Sequence, residues 1–185
     1  MDPSMEQKIT DIKGYYEKKV SDNKGASTSS MPDAILIERE IELISTRIEE
    51  GERILDVGCA NGYSVMRYAK DKACYLKGID YSESMIKNAK EEYGKIKGKI
   101  KQEIEFEVGD ARDIKEKDNS FDKVIAKRCV INLPTWDLQK LALSQMTRVL
   151  KKGGKLLLSE ASKQGWENMN KLRLEFGLKE IKQPW

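Results

Sequence analysis

The chain contains no histidine among its 185 residues. That absence removes the commonest general base, the Ser/His and Cys/His nucleophile pairs and every imidazole metal site. Cysteine is scarce: Cys59, Cys74 and Cys129 lie far apart and form no CxxC spacing. No disulfide framework or metal site is expected, and the thiols read as reduced and mostly buried in a cytoplasmic protein. No run reaches the ~18 apolar residues of a membrane span, and no charged start followed by an apolar stretch reads as a secretion signal. Charge of one sign is lacking too. Against 34 basic residues stand 31 acidic ones, leaving +3, too little to imply nucleic acid. The most basic stretch, KIKGKIK at 95–101, is flanked by acidic residues and reads as a solvated loop or helix end. No interleaving of aromatic and basic residues suggests a base-stacking platform.

What is present is a soluble composition of single-domain size. MDPS at the start is compatible with a vector scar before a native Met5 and equally with native sequence. Apolar residues of the first ~20 positions, Ile9, Ile12, Tyr15, Tyr16 and Val20, recur at roughly helical spacing. SDNKGASTSS (21–30) is a loop or lid, and Pro32 with Asp33 marks a helix start. Ile37, Ile41, Ile44 and Ile48 form one face of a helix over 34–49, which Glu50-Gly51 ends. Residues 1–50 are thus N-terminal helices with a lid loop, and 51–185 the core, with no second domain. In that core strands over 53–57, 75–79, 104–108, 122–128 and 155–159 alternate with helices over 63–70, 82–93, 135–150 and 166–176. Lys152-Gly153-Gly154 is read as the stop of the long fourth helix, whose apolar residues are Leu138, Leu141, Leu143, Met146, Val149 and Leu150. Such alternation predicts a doubly wound α/β fold with a mainly parallel sheet of about five strands.

Ligands of open parallel sheets bind beyond the carboxyl ends of the strands. The first strand ends in Asp56 and the turn GCANG, the second in Asp80, the third in Gly109-Asp110-Ala111, the fourth in Lys127-Arg128 and the fifth in Ser159-Glu160. The turn lacks the third glycine of GxGxxG, and no GxxxxGK[ST] follows any strand. A carboxylate directly before the turn would repel a pyrophosphate and suits a cationic amino group. Asp80 is placed for ribose hydroxyls, and Asp110 with Ala111 for an adenine edge. Adenosine carrying an amino-acid tail is S-adenosylmethionine.

ILDVGCANG, GIDYSESMI, VGDARDI, FDKVIAKRCVINLP and VLKKGGKLLLSE follow one another in order over roughly 50–160. Together they resemble the motifs of the class I S-adenosylmethionine-dependent methyltransferases. The resemblance implies a Rossmann-like sheet with the cofactor cradled by Asp56, Gly58, Ala60 and Gly62. It implies ribose on Asp80, adenine packed by Tyr81 and Met85 and read by Asp110 and Ala111. It places Arg128 against the methionine part and the acceptor. Two departures stand out. Ala60 occupies a position where the family commonly has glycine, which restricts a positive φ. The family's last antiparallel hairpin has no counterpart before Trp185, so the chain is expected to be C-terminally truncated or a minimal variant. Its fifth strand would then have an open edge for dimer pairing or aggregation.

Methyl transfer from a sulfonium has a neutral leaving group, so a chain without histidine suits it. Arg128, Asn132 and Glu160 are the candidates near the methyl. Arg128 would clamp an anionic group, and Glu160 would serve as base or, preferentially, pair with Arg128. Asn132 would act there or cap the loop before Pro134. Tyr15 and Tyr16 would close over the cofactor or pack their helix on the body. The acceptor expected is a small molecule, taken at N or O, without nucleic acid or membrane. A cofactor-binding module without turnover is the alternative, and a nicotinamide-dependent oxidoreductase a third reading that the glycine spacing disfavours.

Overall fold

The computed structural model describes residues 7, 10–14, 33–100 and 102–182. Residues 1–4, Tyr15, Tyr16, the stretch 21–30, Pro32 and residues 183–185 lie outside the described residues, as do the expectations attached to them. Asp33 does start a helix, α1 (Ala34–Ser45), by accepting the Leu36 N–H at 2.9 Å. The helix ends at Ser45, short of the expected 49. There the Thr46 hydroxyl turns back to Leu43 O at 2.7 Å, a side-chain bond that competes with continuation. Ile48 is buried all the same.

The core follows as β1 (Arg53–Val57), α2 (Tyr63–Asp71), β2 (Tyr75–Asp80), α3 (Glu83–Ile96), β3 (Ile104–Val108), β4 (Phe121–Lys127), α4 (Trp136–Val149), β5 (Leu150–Ser159) and α5 (Lys163–Glu175). The five strands pair in the order β3-β2-β1-β4-β5, every pair parallel. Strand order reverses between β1 and β4, so their carboxyl ends flank the switch point.

Alternation along the strands builds a core on each face. Ile54 and Ile125 join the isoleucines of α1, Val65 and Ala69 of α2, and Ile86 and Ala89 of α3. Leu55, Val57, Val124 and Ala126 point the other way, against Ala142, Met146 and Val149 of α4. The inner line of α4 is Leu138, Ala142, Met146 and Val149, so Leu141 is exposed, contrary to expectation.

The Gly153-Gly154 pair does not stop a helix. α4 ends at Val149, with Leu150 already extended, and both glycines lie inside β5. Pairing jumps from Phe121↔Leu150 to Lys123↔Lys155, and the surplus residues are accommodated at Gly153, whose φ is 82°. Among the described residues no strand pairs with the outer side of β5. No helix among them is long and apolar enough to cross a membrane.

Candidate active site

Three residues of the β1–α2 turn adopt left-handed backbone: Gly58 (φ 77°), Ala60 (φ 49°) and Gly62 (φ 73°). A side chain at Gly58 would meet Cys129 at 2.8 Å, and one at Gly62 would meet the Phe106 ring at 2.5 Å. Both glycines are therefore demanded by packing as well as by φ. The Gly58 and Cys59 N–H groups donate to Ile79 O at 2.8 and 3.0 Å, tying the turn to β2. Ala60 carries a methyl where φ is positive. Its N–H donates to Asp80 Oδ2 at 2.9 Å, which holds the strained residue in place.

A cavity of about 210 Å³ opens along the strand ends. Of the residues expected to form the site, Gly58, Ala60, Asp80, Tyr81, Met85, Asp110, Ala111, Arg128 and Asn132 line it. Asp56, Gly62 and Glu160 are not part of its wall, and Tyr16 lies outside the described residues. The cavity runs across neighbouring strands, from β3 and β2 past the β1 turn to β4. At about 4.8 Å per strand that is a span of about 14 Å.

At the β2–β3 end, Asp80 Oδ1 accepts the Ser82 N–H at 3.0 Å and Oδ2 the Ala60 N–H. Burial raises its pKa while these two bonds lower it. Each oxygen keeps a lone pair for a further donor, so the residue fits a pair of ribose hydroxyls. Asp110 is gripped by Arg112, whose Nε lies 2.9 and 3.0 Å from its two oxygens. Burial pushes the Asp110 pKa up, but the bonds from Arg112 outweigh it and hold the carboxyl below 3.8.

Asp56 lies beneath the turn, with both carboxylate oxygens buried and unbonded among the described residues. Burial lifts its pKa to about 6, Lys127 and Arg128 pulling down and Asp80 pushing up. An orphaned buried carboxylate is costly, and a cationic ligand group would relieve that cost. Asp80 and the turn thus fit an adenosyl ligand, and the Asp56 charge beneath them favours a cationic group on its tail through space.

At the β4 end the expected Glu160–Arg128 pair does not form. Glu160 instead accepts the N–H groups of Cys129, Val130 and Ile131 at 3.0, 2.8 and 3.3 Å. Those groups open a one-turn 3₁₀ helix and have no partner within it, so they draw the nearest carboxylate. Arg128 pairs with Glu40 of α1, which also accepts the Ser159 hydroxyl at 2.7 Å. The Arg128 backbone is left-handed, φ 50°, held by its N–H to Ser159 O at 2.8 Å and by Asn132 Nδ2 to its carbonyl at 2.6 Å. Asn132 thus both lines the cavity and fixes the turn.

Sequence reasoning missed three contributors. Glu40 flanks the apolar stripe of α1, three residues after Ile37 and four before Ile44, and a carboxylate in that inward register was the available signal. Ser64 and Lys127 line the cavity, and the Lys127 ammonium donates to the Ser64 hydroxyl. The position of Lys127 at a strand end was the available signal.

An open parallel sheet whose glycine turn and carboxylate-ended strands frame a cavity at the switch point is a Rossmann-like, S-adenosylmethionine-binding architecture. Residues 48–183 match the methyltransferase-domain family, and the chain belongs to it, as a class I S-adenosylmethionine-dependent methyltransferase domain. It is 32% identical over 114 residues to 27-O-demethylrifamycin SV methyltransferase of Amycolatopsis mediterranei, covering 61% of this chain and 40% of that protein. Among solved structures it resembles the [4+2]-cyclase SpnF, with TM-score 0.61 and 27% identity over 75% of this chain and 48% of SpnF. It shares the fold of phosphoethanolamine N-methyltransferase 1 of Haemonchus contortus, solved with phosphoethanolamine and S-adenosylhomocysteine. There the TM-score is 0.71 at 20% identity, over 88% of this chain and 34% of that one. The chain spans less than half the length of these relatives.

Proposed function

We propose that the protein transfers a methyl group from S-adenosylmethionine to a nitrogen or oxygen of a small-molecule acceptor. The observation that carries this reading is the cavity crossing the strand ends, with Asp80 at one end and the Lys127–Arg128 pair at the other. Bound S-adenosylmethionine supplies an electrophilic methyl on a sulfonium, and the leaving thioether is neutral. The protein's share is then to orient and to exclude water. Asp80 holds the ribose, Tyr81 and Met85 pack the adenine, and Asp110 with Ala111 reads its edge. Asp56 acts on the tail from beneath the turn. Arg128 and Asn132 shape the acceptor end, and Glu160 steadies the 129–131 turn that carries them. α1 packs its isoleucines on the core that follows and brings Ile37 to the wall of the cavity. The balanced charge suits a small molecule rather than nucleic acid, the buried thiols suit a reducing cytoplasm, and the outer edge of β5 suits pairing with a second copy.

Titration calorimetry with S-adenosylmethionine, S-adenosylhomocysteine and NAD tests the ligand: the first two should bind and NAD should not. Transfer of labelled methyl across a panel of amines and hydroxyl compounds tests the reaction. The likeness to a [4+2]-cyclase favours one other reading, a cofactor-binding domain that transfers no methyl. Tight binding with no labelled product across the panel would select it.

A further inference from the structure

Three cations line the cavity: Arg112, Lys127 and Arg128. Arg112 is chelated to Asp110 at the β3 end, and Arg128 is paired with Glu40 of α1. Lys127 differs. Its ammonium donates to the Ser64 hydroxyl and forms no ion pair among the described residues. It projects from the carboxyl end of β4 onto the face that also carries Asp56, between that strand and α2, where Tyr68 lies beneath it with ring centroid 5.8 Å from Nζ. Asp56 and Glu40 act on its charge through space without reaching it, and burial pulls its pKa below 10.5. A cation held at a cavity wall with a hydroxyl as hydrogen-bond partner and no carboxylate in contact among the described residues is incompletely compensated. A ligand carboxylate would complete it, by a charge-assisted hydrogen bond of the stronger kind.

We propose that Lys127, rather than Arg128, receives the carboxylate of the cofactor's amino-acid tail. The inference rests on S-adenosylmethionine being the ligand of this cavity. With adenosine at the β2–β3 end and the turn of β1 between, the tail extends toward β4. There Arg128 is already committed to Glu40, and Ser64 stands beside Lys127 as a second donor to the same carboxylate. The sulfonium then enters a cavity whose nearest free cation is neutralised by the tail itself.

Calorimetry on the full chain tests this with three ligands: S-adenosylhomocysteine, its decarboxylated analogue S-adenosyl-3-thiopropylamine, and 5′-methylthioadenosine, which has no amino-acid tail. Lys127→Met should weaken S-adenosylhomocysteine at least tenfold and leave 5′-methylthioadenosine within twofold. Lys127→Arg should recover part of the loss. On the unaltered protein, which needs no variant to fold, the decarboxylated analogue should bind at least tenfold more weakly than S-adenosylhomocysteine. Equal affinity of those two ligands would overturn the proposal. So would a Lys127→Met protein that holds S-adenosylhomocysteine as the parent does, or that loses it and 5′-methylthioadenosine alike. Failure of the unaltered protein to bind any of the three would instead overturn the reading of the cavity.

Discussion

Ala60 and Asp56, four residues apart, each carry an unfavourable feature next to the cavity, and each makes a prediction. A non-glycine residue at φ 49° costs about 1–2 kcal/mol, while glycine there would cost about 0.5–1 kcal/mol of chain entropy. Ala60→Gly should therefore stabilise the protein by about 0.5–1 kcal/mol, read from denaturant midpoints. An unchanged or lower midpoint would show that the Asp80 bond already absorbs the strain. Asp56 has a folded-state pKa of about 6, above the ordinary 3.8. The folded state thus binds more protons than the unfolded chain between these values, so stability falls as pH rises through that window. The cost is fully present above pH 6 and absent below 3.8. It amounts to about 3 kcal/mol by linkage. Asp56→Asn removes the titration, so its stability relative to the parent should rise between pH 4 and pH 7. A parallel pair of stability–pH curves would contradict this. The orphaned carboxylate was invisible in the sequence: Asp56 was read as facing the ligand, whereas its oxygens are sealed beneath the turn.

At the scale of elements, helix starts were the most legible feature, because a cap is a local interaction. Ser82 opens α3 as expected, its hydroxyl accepting the Met85 N–H at 3.3 Å. Ser82→Ala should cost about 1 kcal/mol. It should also loosen the Asp80 carboxylate, which accepts the Ser82 N–H, and so weaken S-adenosylhomocysteine binding in calorimetry. A loss of stability without any change in binding would separate the two roles. Strand positions were legible from their apolar runs, since doubly covered strands leave little choice of pattern. What failed were inferences needing a partner from elsewhere in the chain. Gly153-Gly154 resembles a helix stop, but the ladder to β4 recruits Leu150–Ser159 as strand. Glu160 has the right charge for Arg128, yet three unpaired N–H groups lie within its reach. Arg128 takes Glu40, 88 residues away in sequence, and no spacing rule connects such positions.

At the scale of the molecule, the sheet has a centre and two rims. β1 is paired on both sides, by β2 and β4, while β3 and β5 are each paired on one side among the described residues. The switch point is therefore in the most fully bonded part of the sheet. The β4 end of the cavity leans the other way: Ser159, which holds both Glu40 and the Arg128 backbone, belongs to the rim strand β5. In a parallel edge strand every second N–H points away from its one neighbour. Hydrogen–deuterium exchange should report this directly. Amides of β1 should exchange slowest, and alternate amides of β5 should exchange orders of magnitude faster, with their protected neighbours between them. The β4 wall of the cavity would then breathe on a shorter timescale than its β2 end, so that an occupant of the β4 side gains most protection where the bare protein has least.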